Sequence, residues 1–179
     1  TKGENARAVE ATLSCLALFD LTMPREPTEE QVRQAYDDIR AALGDRPIEA
    51  LLDLPVLTDR AIGGLLNVLL IAQSALMFTN GNLLVLAICH MVRLSLRYGN
   101  IASAIGGYGG LGTWYVGPAL DMWSDAFRFA EVSRALVERR GLAEFRAQVY
   151  LSCAVLSYRV HPARKALPRE SDGIRWIEA

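Results

Sequence analysis

Apolar residues recur every three or four positions along most of the chain, and no stretch shows the sustained apolar-polar alternation of a half-buried strand. In PTEEQVRQAYDDIRAALG, Thr28 and Gln31 have capping-box spacing, Val32, Ala35, Tyr36, Ile39 and Leu43 share one face, and Gly44 supplies a left-handed stop. DRPIEALLDLP predicts a short helix capped by Asp45 and ended by Pro55. Thr58 or Asp59 then caps a long apolar helix reaching about Phe78. Residues 82–98 predict the next helix, closed by Gly99, with Leu84, Ile88, Met91 and Val92 as an apolar stripe and His90, Arg93 and Arg97 as a polar one. From Asp121 to Arg140 the two faces separate sharply: Met122, Ala126, Phe129, Ala130, Ser133, Leu136 and Val137 oppose Asp121, Asp125, Arg128, Glu131, Arg134 and Glu138. Leu142 to about Tyr158 predicts another helix, and HPARKALPRESDGIRWIEA a loop running into one or two final helices.

Asp59 to Gly99 and Asn100 to Gly141 are successive stretches of similar length, each a pair of helices closed by glycine. Placing Gly99 over Gly141 sets Leu84 on Ala126, Ile88 on Ala130 and Leu94 on Leu136, with LSLRYG over LVERRG. The fold expected is all-α: antiparallel helix pairs stacked as a tetratricopeptide-like superhelix, an α-solenoid fragment, occupying residues 1–179 as a single domain. Residues 160–179 are its least defined part.

One motif points elsewhere. Gly107, Gly109 and Gly112 stand in a literal G-x-G-x-x-G, the pattern that cradles a dinucleotide pyrophosphate. That chemistry needs a buried strand before the first glycine and a helix after the last, with an acid about 20 residues on at a second strand end. GNIASAI is a poor central strand, Gly117 and Pro118 would stop the helix early, and Glu131 lies on the polar face of an amphipathic helix. The alternative is one helix from Ile101 to Val116, its glycines removing side chains where neighbouring helices come close. Each costs roughly 1 kcal/mol relative to Ala, so packing must offset them. Tyr108, Leu111, Gly112 and Tyr115 in that helix reproduce the aromatic-x-x-Leu-Gly-x-x-Tyr signature of a tetratricopeptide first helix, and Ala126 and Phe127 resemble its second.

Charge adds exclusions. Nineteen Lys and Arg against 20 acids leave a formal net charge of -1, with no field to draw the chain onto nucleic acid. No Lys, Arg, Asp or Glu occurs between Arg60 and Arg93, which raises a membrane hairpin over residues 61–92. Asn67, Gln73, Ser74 and TNGN divide that stretch below the roughly 20 apolar residues a bilayer helix needs, favouring buried helices and no membrane. Cys15, Cys89 and Cys153 are far apart and form no C-x-x-C, reading as buried apolar residues in a reducing compartment. The chain opens on Thr1 without Met and ends on a helical-looking pattern, so a segment of a longer protein is expected.

Among chemistry-bearing residues, Asp121 and Asp125 are one turn apart but lack a third ligand. Dipole complementation and pairing of Asp125 with Arg128 and Glu131 with Arg134 account for the acids. His90 and His161 are the two histidines, and neither has a nucleophile context such as G-x-S-x-G. No catalytic residue, cofactor or metal ligand is therefore assigned. A recognition groove, if formed, would use His90, Arg93 and Arg97 toward an acidic peptide or anion, and Tyr108, Trp114 and Tyr115 as aromatic contacts. The plainer readings are a solvated cationic face and aromatic core packing.

The stretches LFDLTMPREPTEEQVRQAYDDIRAALGDRPIEALLDLPVLTD, MFTNGNLLVLAICHMVRLSLRYGN and AFRFAEVSRALVERRGLAEFRAQVYL resemble the helical-repeat region that follows the STAND-type ATPase in large bacterial signalling kinases. GDRPIEALLDLP and MVRLSLRYGN are the specific parts; the family commonly has Arg where this chain has His90 and Asn where it has Arg93. Such proteins typically join a serine/threonine-kinase-like domain, an ATPase, this region, often a GAF sensor, and a histidine kinase. The resemblance implies a non-catalytic, cytoplasmic regulatory module acting in signal transduction by recognising a protein, a neighbouring domain or a ligand. Homo-oligomers through exposed repeat ends are expected. A dinucleotide-binding domain built on GGYGGLG is the alternative.

Overall fold

The computed structural model describes residues 2–160, and among these the fold is all-α, with a single isolated bridge, Val56 to Asn100, in place of any strand. The expected helix within 161–179 lies outside the described residues. Two compact units form. One takes the chain up to Asp45 and then Leu54–Gly107; the other takes Arg46–Asp53 and the chain from Tyr108 onward.

The first unit holds α1 (Lys2–Ala17), α2 (Glu29–Leu43), α3 (Arg60–Met77), α4 (Gly81–Tyr98) and the start of α5 (Ala104–Leu111). Helix α4 is its centre, packing against α2 and α3, while α1 packs on α3. Every residue from Leu83 to Cys89 is buried, together with Met91, Val92 and Ser95. A helical segment apolar all round has no stable place except inside, which is where the uncharged run puts the first half of α4. Helix α3 buries one face only, and among the described residues it alone is long and apolar enough to cross a membrane.

The boundaries follow local chemistry. Thr28 accepts from the Gln31 amide at 3.2 Å while the Gln31 side chain accepts from the Thr28 amide at 2.9 Å, completing the capping box. Asp59 caps α3 by accepting from the amides of Ala61 and Ile62, and Asn80 caps α4 by accepting from Leu83 at 3.0 Å. Helix α1 was not foreseen from the pattern. Of its residues Leu16 is the one that becomes fully buried, too little apolar periodicity to mark a helix.

Gly99 ends α4 at φ 104°, in backbone territory that side chains avoid, and a Cβ there would overlap the Pro55 carbonyl. This close approach lets Asn100 donate to the Pro55 carbonyl at 2.7 Å and Leu57 donate to the Asn100 carbonyl at 3.0 Å. The chain after Pro55 is thereby tied to the end of α4.

The second unit is built on α6 (Trp123–Arg140). Against it pack the 3-10 helix Ile48–Asp53, the π-helical turn Gly112–Val116 and α7 (Arg146–Val160), which a short 3-10 turn, Ala143–Phe145, introduces. The short helix expected at Ile48–Asp53 is thus a 3-10 helix, with Ile48 and Leu51 buried. Arg128 clasps it, donating through Nε and Nη2 to the Glu49 carboxylate at 2.8 and 2.7 Å, and Arg139 lies 3.6 Å from Asp53.

The helix expected from Ile101 to Val116 differs in detail. It begins at Ala104, is α-helical to Leu111, and then widens into the π turn, where the Gly117 amide reaches back to the Gly112 carbonyl at 3.1 Å. Within the first unit a Cβ on Gly106 would overlap the Leu70 side chain, and one on Gly107 would sit 3.0 Å from the Met91 Cβ. Within the second, a Cβ on Gly112 would overlap the Ala126 backbone carbonyl, and one on Gly109 would lie 3.2 Å from the Ser133 hydroxyl. The glycines therefore occupy close helix contacts.

Candidate interaction surface

The six residues nominated from sequence divide between the two units. His90, Arg93 and Arg97 lie on α4 in the first; Tyr108, Trp114 and Tyr115 lie in the second.

On α4 the polar stripe exists and is partly engaged. Arg93 is 3.3 Å from Asp38 of α2. Arg97 places its guanidinium 5.1 Å from the ring centroid of its neighbour Tyr98. His90 is mostly covered. Burial, and secondarily the positive charge of Arg93, hold its imidazole down to about 4 from an ordinary 6.5, so at neutral pH it is an uncharged group able to hydrogen-bond. Cys89, directly preceding, is pushed up to about 12, chiefly by burial, and is an inert thiol. The cations a partner would meet on this stripe are Arg93 and Arg97, both exposed.

The aromatic set is mainly core. Tyr108 is fully buried and Tyr115 nearly so, while Trp114 is 45% exposed. The π turn carries Trp114 outward while Gly112, Tyr115 and Val116 stay inside. Trp123 donates its indole N–H to Asp121 at 2.6 Å, and Arg159 of α7 stands 5.1 Å from its ring centroid. Asp121 itself adopts φ 55°, a left-handed conformation at the turn into α6.

The acids of α6 pair as their spacing suggested. Asp125 is 3.1 Å from Arg128, and Arg134 is 2.8 Å from Glu131 and 2.9 Å from Glu138. Tyr150 of α7 donates to Glu138 at 2.6 Å, which holds that carboxyl below its usual range and raises the phenol. The Arg128 hydrogen bonds likewise lower Glu49. Among the described residues no three His, Cys, Asp or Glu side chains gather as a metal site would require. Of the three cysteines, all free, Cys89 and Cys153 are buried and Cys15 is only partly covered.

The strand, phosphate loop and helix of a dinucleotide site are not formed at Gly107, Gly109 and Gly112; Gly107 and Gly109 are interior to α5, and Gly112 opens the π turn. Sequence reasoning missed the junction of Pro55 and Leu57 with Asn100, and the clasp of Glu49 by Arg128. Both join residues more than 40 positions apart, and local periodicity carries no signal for them. Compared with family models, curated proteins and solved structures, the chain gave no match.

Proposed function

We propose that this chain is a non-catalytic, cytoplasmic regulatory module of a bacterial sensor kinase, recognising a partner protein or neighbouring domain through a tetratricopeptide-like stack of helix pairs. The junction at Gly99 carries the reading. LLDLP and RYGN belong to the two stretches most specific to the signalling-kinase resemblance. Pro55 and Gly99, their final proline and glycine, are the residues that touch, with Asn100 buried beside them. Two motifs that meet in a backbone contact, and carry no reactive group there, fit a scaffold.

Further support comes from the first unit. Asn82 donates to the Pro27 carbonyl at 2.9 Å near the starts of α4 and α2, and Arg93 meets Asp38 farther along both, so α2 and α4 run parallel as corresponding helices of stacked pairs do. Helices α3 and α4 form a hairpin closed by Gly99, and the α5–π segment with α6 forms the next, closed by Gly141 at φ 65°. The long connection from α1 to α2, residues 18–28, departs from the short turn of a regular repeat.

In this role the exposed Arg93 and Arg97 offer charge to an acidic segment, and Trp114 an aromatic contact. The test is the reading frame that encodes the chain. ATPase and histidine-kinase modules on either side are expected, and deleting this segment from that protein should change autophosphorylation without abolishing it. A frame lacking both modules refutes the assignment.

A further inference from the structure

Helix α1 is held to the first unit less firmly than its neighbours are. It packs on α3, and among its described residues Leu16 alone is buried, while Val9, Leu13 and Cys15 are half-covered. Helix α2, of similar length, buries Val32, Ala35, Tyr36, Ile39 and Leu43. The last turn of α1 carries no cation to meet the helix dipole. Beside its first half runs an open cleft of about 260 Å³, with Ala6 and Val9 on one side and Thr79, Asn80 and Leu83 on the other, so apolar side chains there lack contacts on one flank.

The chain that follows α1 is fixed at its far end. Pro27 is buried, and its carbonyl accepts from the Asn82 side chain at 2.9 Å. Residues 18–26 are exposed or half-covered throughout, with Asp20 in a left-handed φ of 57°. Arg25 stands two residues before the anchor and reaches back to α1, its two terminal nitrogens each donating to one oxygen of the Glu10 carboxylate. A bidentate pair fixes orientation, and because both side chains are exposed its strength is screened by salt.

We infer that α1 is a strap that opens as a unit, swinging off α3 about residues 18–26 while the other helices of the first unit stay folded, with the Arg25–Glu10 pair as its clasp. The free energy a segment needs to open follows the apolar contact it gives up. For α1 that is Leu16 and a few half-covered side chains; for α4 it is the continuous buried run from Leu83 to Cys89. Opening uncovers the flank of α3 beneath α1, and with it Leu83 at the edge of the cleft. An apolar flank hidden or shown according to one salt-sensitive ion pair is a regulatory device. Simple fraying differs, since it starts at the N-terminal end and spares the last turn, where Leu16 is buried. The strap is independent of the signalling assignment.

Hydrogen exchange of the 179-residue chain tests this. Amides of α1, residues 13–17 included, should exchange together and at least about a hundredfold faster than those of residues 83–92. Arg25→Gln should speed α1 by about two- to fivefold, and about 0.5 M sodium chloride should do the same to the parent but add nothing to the variant. About 1 M urea should speed α4 more than α1, because the strap exposes less surface on opening than global unfolding does. Leu16→Ala should strip α1 of protection, while α4 loses at most the factor that had protected α1, since an open strap has nothing further to lose. Equal protection of α1 and α4 overturns the inference. So does a gradient from the N-terminal end with residues 13–17 as slow as α4, and so does exchange of α1 indifferent to both Arg25→Gln and Leu16→Ala.

Discussion

Mild acid should destabilise this protein through His90. Its imidazole is held down to about 4 by burial and by Arg93, against an ordinary 6.5. The folded-state value is the lower of the two, so between these limits the unfolded chain binds a proton that the folded chain refuses. Stability therefore falls as pH drops through that window and is regained above it. At 1.36 kcal/mol per pH unit, the loss from His90 on going from pH 7.5 to pH 5 is about 2 kcal/mol. That is a large part of the 5 to 15 kcal/mol typical of a domain, and in urea it amounts to a midpoint shift of roughly 1 M. Urea unfolding of the parent and of His90→Gln at the two pH values isolates the effect, since the variant keeps every carboxylate. The variant should lose most of the pH dependence. Equal slopes in both proteins, or an imidazole NMR titration with its midpoint near 6.5, would refute the reasoning.

Other substitutions test the packing. Gly99→Ala should cost about 3 kcal/mol, from the φ of 104° and the overlap with the Pro55 carbonyl, whereas Gly81→Ala, in open space at the start of α4, should be neutral or gain up to about 1 kcal/mol; thermal melts compare them. Gly112→Ala should lower stability by about 1 to 3 kcal/mol by driving the π turn off the Ala126 carbonyl, and unchanged denaturant midpoints would count against that contact. A double-mutant cycle on Glu49 and Arg128 should give a coupling of at most about 1 kcal/mol, because both side chains are partly exposed. Glu49 is held below its ordinary value, so that coupling should be full at neutral pH, shrink as acid protonates the carboxylate, and weaken in high salt. Titrating NAD while following tryptophan fluorescence should give no saturable change; a saturable one abolished by Gly109→Val would restore the dinucleotide reading.

The helices were legible because their causes are local. Thr28 with Gln31, Asp59 before α3, and Gly44, Gly99 and Gly141 act within one turn of the backbone they terminate. The sharp two-sidedness of α6 likewise announced which residues it would bury. Helix α1 escaped notice because nearly all its surface stays outside the core, leaving no apolar stripe to read. Of the nominated groove, the sequence identified Arg93 and Arg97 as exposed cations, but it could not tell that Tyr108 and Tyr115 are covered while Trp114 is not. Aromatic spacing on a helix is the same for core and surface use, and packing by residues distant in the chain decides between them.

Sequence alone thus determined the all-α class, most helix ends and the absence of charge between Arg60 and Arg93, since propensity, capping and periodicity act over a few residues. Tertiary structure decided three other matters: that the helix at Gly112 widens into a π turn, that Gly99 closes on Pro55, and that Gly64, Ile71 and Phe78 of α3 are left uncovered. Each depends on which distant backbone comes within van der Waals reach, a contact set by the whole chain.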